Sequence, residues 1–324
     1  MSNKFALGCL PSPPDRRDYQ ASSFFAIKSS FPSEYMPKDL IPAENQLGVG
    51  ACVAFGIELQ TAYHELTERG KLERFDQNYI YRNRLPDHHQ GEGMVPREAY
   101  SMLIRYGVPP KGEGFPYKYP RLYSILKDEP ITPEMNSHAV FQRIESYFAV
   151  QFEEEIKTAL QHGPVGITIP VYDSFYDCPK DGMLKLPDTA KETLRGYHFV
   201  IIIGWRKDRR WVIQNSWGDL WGDRRMKGYC MAYMPFDYPI REKWGVIDEE
   251  LPPVKKNEQT KIEMWIDKPV AKVNNKEVLI DPANALVTPK IIQNRTMVPV
   301  RFIAENFNAN IDWNEKERKV VITK

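Results

Sequence analysis

The stretch that most restricts the fold is Gln46-Leu-Gly-Val-Gly-Ala-Cys52-Val-Ala-Phe55. Its glycines break the backbone into a turn. A helical apolar pattern then starts at the cysteine and runs to about Arg69, with Gly70 as a C-terminal cap. Cys52 is therefore expected at a helix N-terminus, where unpaired backbone N–H groups and the helix dipole favour negative charge. That placement lowers a thiol pKa and presents the thiolate, the reactive form. Gln46 lies six residues upstream, so the turn can fold its amide back beside the sulfur. The pair reads as a nucleophile with an oxyanion donor, and a base must come from elsewhere in the chain.

At 324 residues the chain suits two domains. Lys and Arg number 44 against 43 Asp and Glu, a formal net charge of +1. That balance gives no footprint for nucleic acid and no polybasic membrane patch. No run approaches the roughly 18 apolar residues of a membrane span. The first ten residues carry one lysine and no apolar segment long enough for a signal peptide, so a cytoplasmic location is expected. Leu7-Gly8-Cys9 has the outline of a lipoprotein cleavage site but lacks the hydrophobic segment before it. Cys9, Cys52, Cys178 and Cys230 are scattered, without metal-ligand rhythm. They are expected to stay reduced, with Cys178 and Cys230 structural. Asp87-His88-His89 reads as a solvated loop, so neither a metal nor another cofactor is expected.

Residues 1–45 are rich in proline and aromatics and read as an extended segment on the surface of the main body. Helices are expected at 52–69, 75–84 and 95–106, with a loop at Gly91-Glu-Gly93-Met94. After residue 140 the character changes. Strands are expected at 141–148, 165–169, 197–205, 211–215 and 228–233, with one helix at 153–162. A helical half followed by a β-rich half is an α+β arrangement of two subdomains over 1–248. Residues 249–260 read as a polar linker, and 261–324 as a small α+β module. That module has a hairpin at Asn274-Asn275, a helix at 298–308 that tolerates Pro299 in its first turn, and a closing hairpin around Asn314.

Two motifs answer the need for a base. Gly196-Tyr-His198-Phe-Val-Ile-Ile-Ile-Gly-Trp205 puts a histidine at the head of a buried strand, and Trp211-Val-Ile-Gln-Asn215-Ser-Trp217-Gly-Asp-Leu-Trp-Gly222 puts an asparagine before a Gly-rich turn. His198 fits a base that activates the thiol and later protonates a leaving amine, and Asn215 fits the group that holds its ring. Trp217 is positioned to cover their hydrogen bond.

Taken together, these motifs resemble the papain-like cysteine peptidases. Gln, Cys, His and Asn occur in that family's order. Cys52 and His198 are 146 residues apart, within the family's range of about 130–150. The Asn-Ser-Trp-Gly block, Gly228-Tyr-Cys-Met231 and the 155–169 segment match as well, so the likeness covers about 30–240. The resemblance implies a two-subdomain α+β fold that hydrolyses peptide bonds through a thioester acyl-enzyme, with a peptide or protein as substrate. It implies Cys52 as nucleophile, His198 as general base and acid, and Asn215 as orienter. Gln46 and the Cys52 N–H would form the oxyanion hole. Gly93 and Met94 would pair with the substrate backbone, and Trp217 would border the substrate site.

Val49, where many relatives have a disulfide cysteine, and Val53, in place of an aromatic, favour a bacterial-type variant. Only about 50 residues precede Cys52, too few for the family's long pro-segment, so the Pro-rich N-terminus is expected to cover part of the cleft. The tail resembles the copper amine oxidase N-terminal-like domain, an appendage of bacterial surface proteins. Without His or Cys it is read as a module for protein or cell-surface contact, which makes a surface or extracellular location the alternative. Two other functions compete: an inactive binding protein on the same fold, and a cell-wall amidase of the NlpC/P60 kind, which lacks the Asn-Ser-Trp-Gly block.

Overall fold

A computed structural model describes residues 5–84, 91–112, 128–248, 261–307, 309–315 and 317–323. The Asp87-His88-His89 stretch and the linker expected at 249–260 lie outside the described residues. The chain divides into two compact units, Met1–Leu251 and Pro252–Lys324.

Helix α1, Cys52–Arg69, is the spine of the first unit and is buried from Cys52 through Glu65. Gly70 closes it in the left-handed conformation, with φ 65° and its N–H on Leu66 O. Helix α2, Gln77–Arg82, is capped by Asp76, whose side chain accepts from Tyr79 N at 2.8 Å. Helix α3, Pro96–Tyr106, opens on a proline that needs no N–H partner. The short α4 (Pro133–Ala139), α5 (Glu153–Ala159) and α6 (Asp173–Tyr176) follow. Helix α4, capped by Thr132, falls where no element was expected.

Six antiparallel strands form the sheet: β1 (Ser146–Ala149), β2 (Val165–Tyr172), β3 (Leu194–Arg206), β4 (Arg210–Gln214), β5 (Met231–Pro235) and β6 (Glu242–Ile247). Their order is β1-β6-β2-β3-β4-β5, so the unforeseen β6 is an interior strand. Both faces of β3 are covered. Phe199, Ile201 and Ile203 face the core shared with α1–α3, whereas Val200 and Ile202 join a second core with Trp205, Trp211 and Trp221. A strand buried on both sides reads as one apolar run, which explains the unbroken pattern after His198.

In the second unit, β7 (Ile262–Met264), β8 (Val270–Val273) and β9 (Lys276–Leu279) form one sheet. Asn274 and Asn275 turn with φ 49° and 67°, as a type I′ hairpin requires. A second hairpin, β10 (Lys290–Ile292) and β11 (Arg295–Met297), turns at Gln293-Asn294 in the same way and was not anticipated. Helix α7 is Val300–Asn306, with Pro299 as its N-cap and not in its first turn. A final hairpin joins β12 (Asn310–Asn314) to β13 (Lys319–Thr323). Among the described residues, no helix is long and apolar enough to cross a membrane.

One glycine sets how closely α1 approaches β3. A Cβ on Gly56 would stand 2.5 Å from the Phe199 ring, one residue beyond His198. Alanine gains up to about 1 kcal/mol of helix propensity over glycine, but overpacking a dense core costs about 1–3 kcal/mol. Gly56→Ala is therefore expected to lower Tm in thermal unfolding; a rise would show that the ring moves aside freely.

Candidate active site

Three elements supply the site. The N-terminus of α1 presents Cys52, whose thiol lies near the Phe199 N–H at the head of β3, and β3 and the residue after β4 present His198 and Asn215. His198 Nε2 lies 2.6 Å from Asn215 Oδ1. An amide oxygen only accepts, so Nε2 carries the hydrogen and the neutral ring keeps its lone pair on Nδ1. That atom is buried and makes no hydrogen bond among the described residues. Ser216 N also donates to Asn215 Oδ1, at 2.7 Å, which fixes the amide. Trp217 stacks on the imidazole with centroids 4.4 Å apart and screens the His–Asn bond from water.

The amide of Gln46 is held at both ends. Its Oε1 accepts from Ser216 Oγ at 2.5 Å, and its Nε2 donates to Val49 O at 2.8 Å. Gln46 N also donates to Ser216 O at 2.8 Å. Ser216 thus orients both Gln46 and Asn215, a role that its motif did not reveal. Val49 contributes its carbonyl to this arrangement, and all four cysteines are free.

Residues 5–10 lie through the site as a strap. Met94 N donates to Gly8 O at 2.8 Å, and Leu10 N to Met94 O at 2.9 Å. Cys9 N donates to Tyr197 O at 3.3 Å on the opposite side. Gln46 Nε2 and Trp217 Nε1 each donate to Ala6 O at 3.2 Å. Phe5 stacks on Trp217 at 4.8 Å. Gly8 passes so close to the turn that a Cβ on it would stand 1.9 Å from Gly50 O. Of the two loop residues singled out by resemblance, Met94 makes the backbone pairing. Gly93 spends its own N–H on Tyr81 Oη at 3.0 Å and its carbonyl on Arg84 Nη1 at 2.5 Å.

The strap changes the electrostatics foreseen for the thiol. Cys52 and His198 are both 0% exposed. Burial pushes the Cys52 thiol up to about 12, against weaker stabilisation from backbone N–H groups that include Phe199 and Gly8. Burial likewise pulls His198 down to about 4, against the Asn215 hydrogen bond. The expected accessible thiolate is thus corrected to a covered, neutral thiol beside a neutral imidazole. The helix terminus is present, but desolvation under the strap outweighs it.

The sign of the pH dependence follows. A raised Cys52 pKa favours the covered form below the ordinary thiol value, and that preference fades as pH rises past it. A lowered His198 pKa favours the covered form above about 6.5, and that preference is lost as pH falls towards 4. Alkylation of Cys52 by iodoacetamide at pH 7.5 is therefore expected to run at least about tenfold slower in the intact chain than in its Gly8→Val variant. Equal rates, followed by mass spectrometry of the Cys52 peptide, would contradict a strap that shields the sulfur.

Residues 35–237 match the papain family cysteine protease pattern, and 253–322 match the copper amine oxidase N-terminal domain. The cathepsin B-like cysteine proteinase 1 of Haemonchus contortus is 39% identical over 89 residues, 26% of this chain and 24% of that protein. The chain thus spans about a quarter of that relative's length. Zingipain-2 of Zingiber officinale is 23% identical over 223 residues, 67% of this chain and 92% of that protein. Among solved structures, xylellain, a cysteine protease from Xylella fastidiosa, superposes with a TM-score of 0.65 at 20% identity, covering 76% of this chain and 98% of that one. Bromelain from Ananas comosus, in complex with the E64 inhibitor, gives 0.53 at 19% identity, covering 68% and 100%. These likenesses confirm the papain-like α+β fold. The chain belongs to the papain family of cysteine proteases and carries a C-terminal copper amine oxidase N-terminal domain.

Proposed function

We propose that the first unit hydrolyses peptide bonds through a thioester on Cys52, and that the strap is its cover. The observation that carries this reading is a peptide carbonyl, that of Ala6, already resting on the Gln46 amide beside the His198–Asn215 pair. A substrate carbonyl placed there would meet the same donor.

Once the strap leaves and water returns, Nδ1 of His198 takes the proton from Cys52 Sγ, and the thiolate attacks the carbonyl carbon. The oxygen, now negative, accepts from Gln46 Nε2 and the Cys52 N–H at the start of α1. His198 then gives its proton to the departing amine, the C–N bond breaks, and the acyl group stays on sulfur. In the second half, His198 takes a proton from water, whose oxygen attacks the thioester; the C–S bond breaks, the acid leaves, and His198 returns the proton to sulfur. Asn215 and Trp217 keep the ring aimed through both halves. We read the second unit as a contact or spacer module, because its described residues offer no comparable constellation.

Cys52→Ala is expected to abolish peptide hydrolysis. Gln46→Ala should lower kcat by about 10²–10³ while KM changes little, since its donor bond strengthens only as the oxyanion forms. Retained turnover in Cys52→Ala would overturn the assignment. E-64, the inhibitor in the bromelain structure, should add one equivalent to Cys52 in the Gly8→Val protein.

A further inference from the structure

The end of α1 away from Cys52 gathers negative charge that its neighbours only partly answer. Glu65 and Glu68 stand in its last two turns and Asp248 follows β6, and one oxygen of each lies within 4.8 Å of the other two. A helix C-terminus favours cations, so acidic side chains there add to the repulsion. Glu65 is 2% exposed, Asp248 is half-buried, and Glu68 reaches the surface. Glu65 Oε1 takes the Gln142 amide, oriented to donate at 2.8 Å. Its Oε2 is buried and makes no hydrogen bond, because Arg69 Nε, 3.0 Å away, lies out of line. Arg69 is half-exposed and also reaches Glu73, at 3.8 Å. Burial, then Glu68 and Glu65, push the Asp248 carboxyl up to about 7.

A cavity of about 110 Å³ adjoins this cluster, lined by Glu68, Asp248 and, one turn before Glu68, His64. His64 is 5% exposed, and its Nε2 is buried without a hydrogen bond among the described residues. Burial, with His162 nearby, pulls the ring down to about 4, so it is neutral and offers a lone pair. A buried polar atom without a partner is costly, and this nitrogen points to a guest of the cavity. We propose that Glu65, Glu68 and Asp248 hold a calcium ion, with His64 accepting a hydrogen bond from a water on it. Calcium takes hard oxygen ligands at about 2.3–2.6 Å, so three oxygens within 4.8 Å of one another can all touch one ion. The exposed side at Glu68 admits the waters that complete its six to eight ligands. Magnesium binds at about 2.0–2.1 Å and gives up water reluctantly, so it suits a wide carboxylate set less well. The ion would tie the end of α1 to the end of β6, and it is independent of the chemistry at Cys52.

The test titrates the full-length protein, stripped with EDTA and desalted, with calcium chloride by calorimetry. One equivalent is expected to bind, at least about tenfold tighter than magnesium, and the loaded protein should show a higher Tm. Glu68→Gln and Asp248→Asn each weaken the ligand set and remove a repelling charge. Without calcium they are expected to unfold no lower than the parent, yet to bind calcium at least about tenfold more weakly. No binding at about 5 mM calcium, above the range of weak calcium modules, overturns the site. So does undiminished binding in both variants, or a loss of stability in both without calcium, which would mark a purely structural role. Zinc bound at least about tenfold tighter than calcium, and lost in His64→Gln, overturns the choice of ion.

Discussion

The contact between the first turns of α1 and strand β3 is the constraint on which the rest depends. Gly56 lets the helix lie against Phe199, which puts the helix N-terminus level with the head of the strand. The Cys52 thiol reaches the Phe199 backbone, one residue past His198, because two elements, each buried over most of its length, meet there. Asn215 follows because β4 pairs with β3 in a register that sets Gln214 against Ile201. Ser216, one residue on, then ties the asparagine to Gln46. The site inherits its precision from the core, as chemistry that needs sub-ångström placement requires.

Two effects oppose each other at the sulfur. The helix terminus and nearby N–H groups favour the thiolate, and exclusion of water favours the thiol. With residues 5–10 seated, exclusion prevails and the pair is neutral. The same N-terminal residues that suppress ionisation occupy the groups the proposed substrate would meet: the donors Met94 N–H and Gln46 Nε2, and the acceptor Tyr197 O. A cover built this way blocks binding and reactivity at once, and relief of either relieves the other.

How much of this was legible in the sequence depended on where the information resides. Cys52, His198, Asn215 and Gln46 were readable as candidates because the proposed chemistry calls for those residue types, in motifs with distinctive neighbours. The α+β order, α1 with its Gly70 cap and the Asn274-Asn275 hairpin were readable from periodicity and turn chemistry. Strand β6 was missed because Glu242 and Lys243 open it with charges, although it lies inside the sheet. The Gln293-Asn294 turn was missed because glutamine is a poor signal for a left-handed residue. That the N-terminal segment covers part of the cleft was expected, but its path could not be read. It is held largely through its own backbone, and its clearest sequence marks are Gly8, small enough to pass Gly50, and Phe5, which stacks on Trp217.

The central claim is that Cys52 carries the acyl group of a cleaved peptide, and trapping that species tests it most directly. The Gly8→Val protein is mixed with a peptide ester and quenched in acid within milliseconds, and the digest is weighed by mass spectrometry. The account predicts that the peptide containing Cys52 gains the mass of the acyl group, in a burst approaching one equivalent, and that hydroxylamine removes it. Product formed without any adduct on Cys52, or an adduct on Cys9, Cys178 or Cys230 instead, would contradict it.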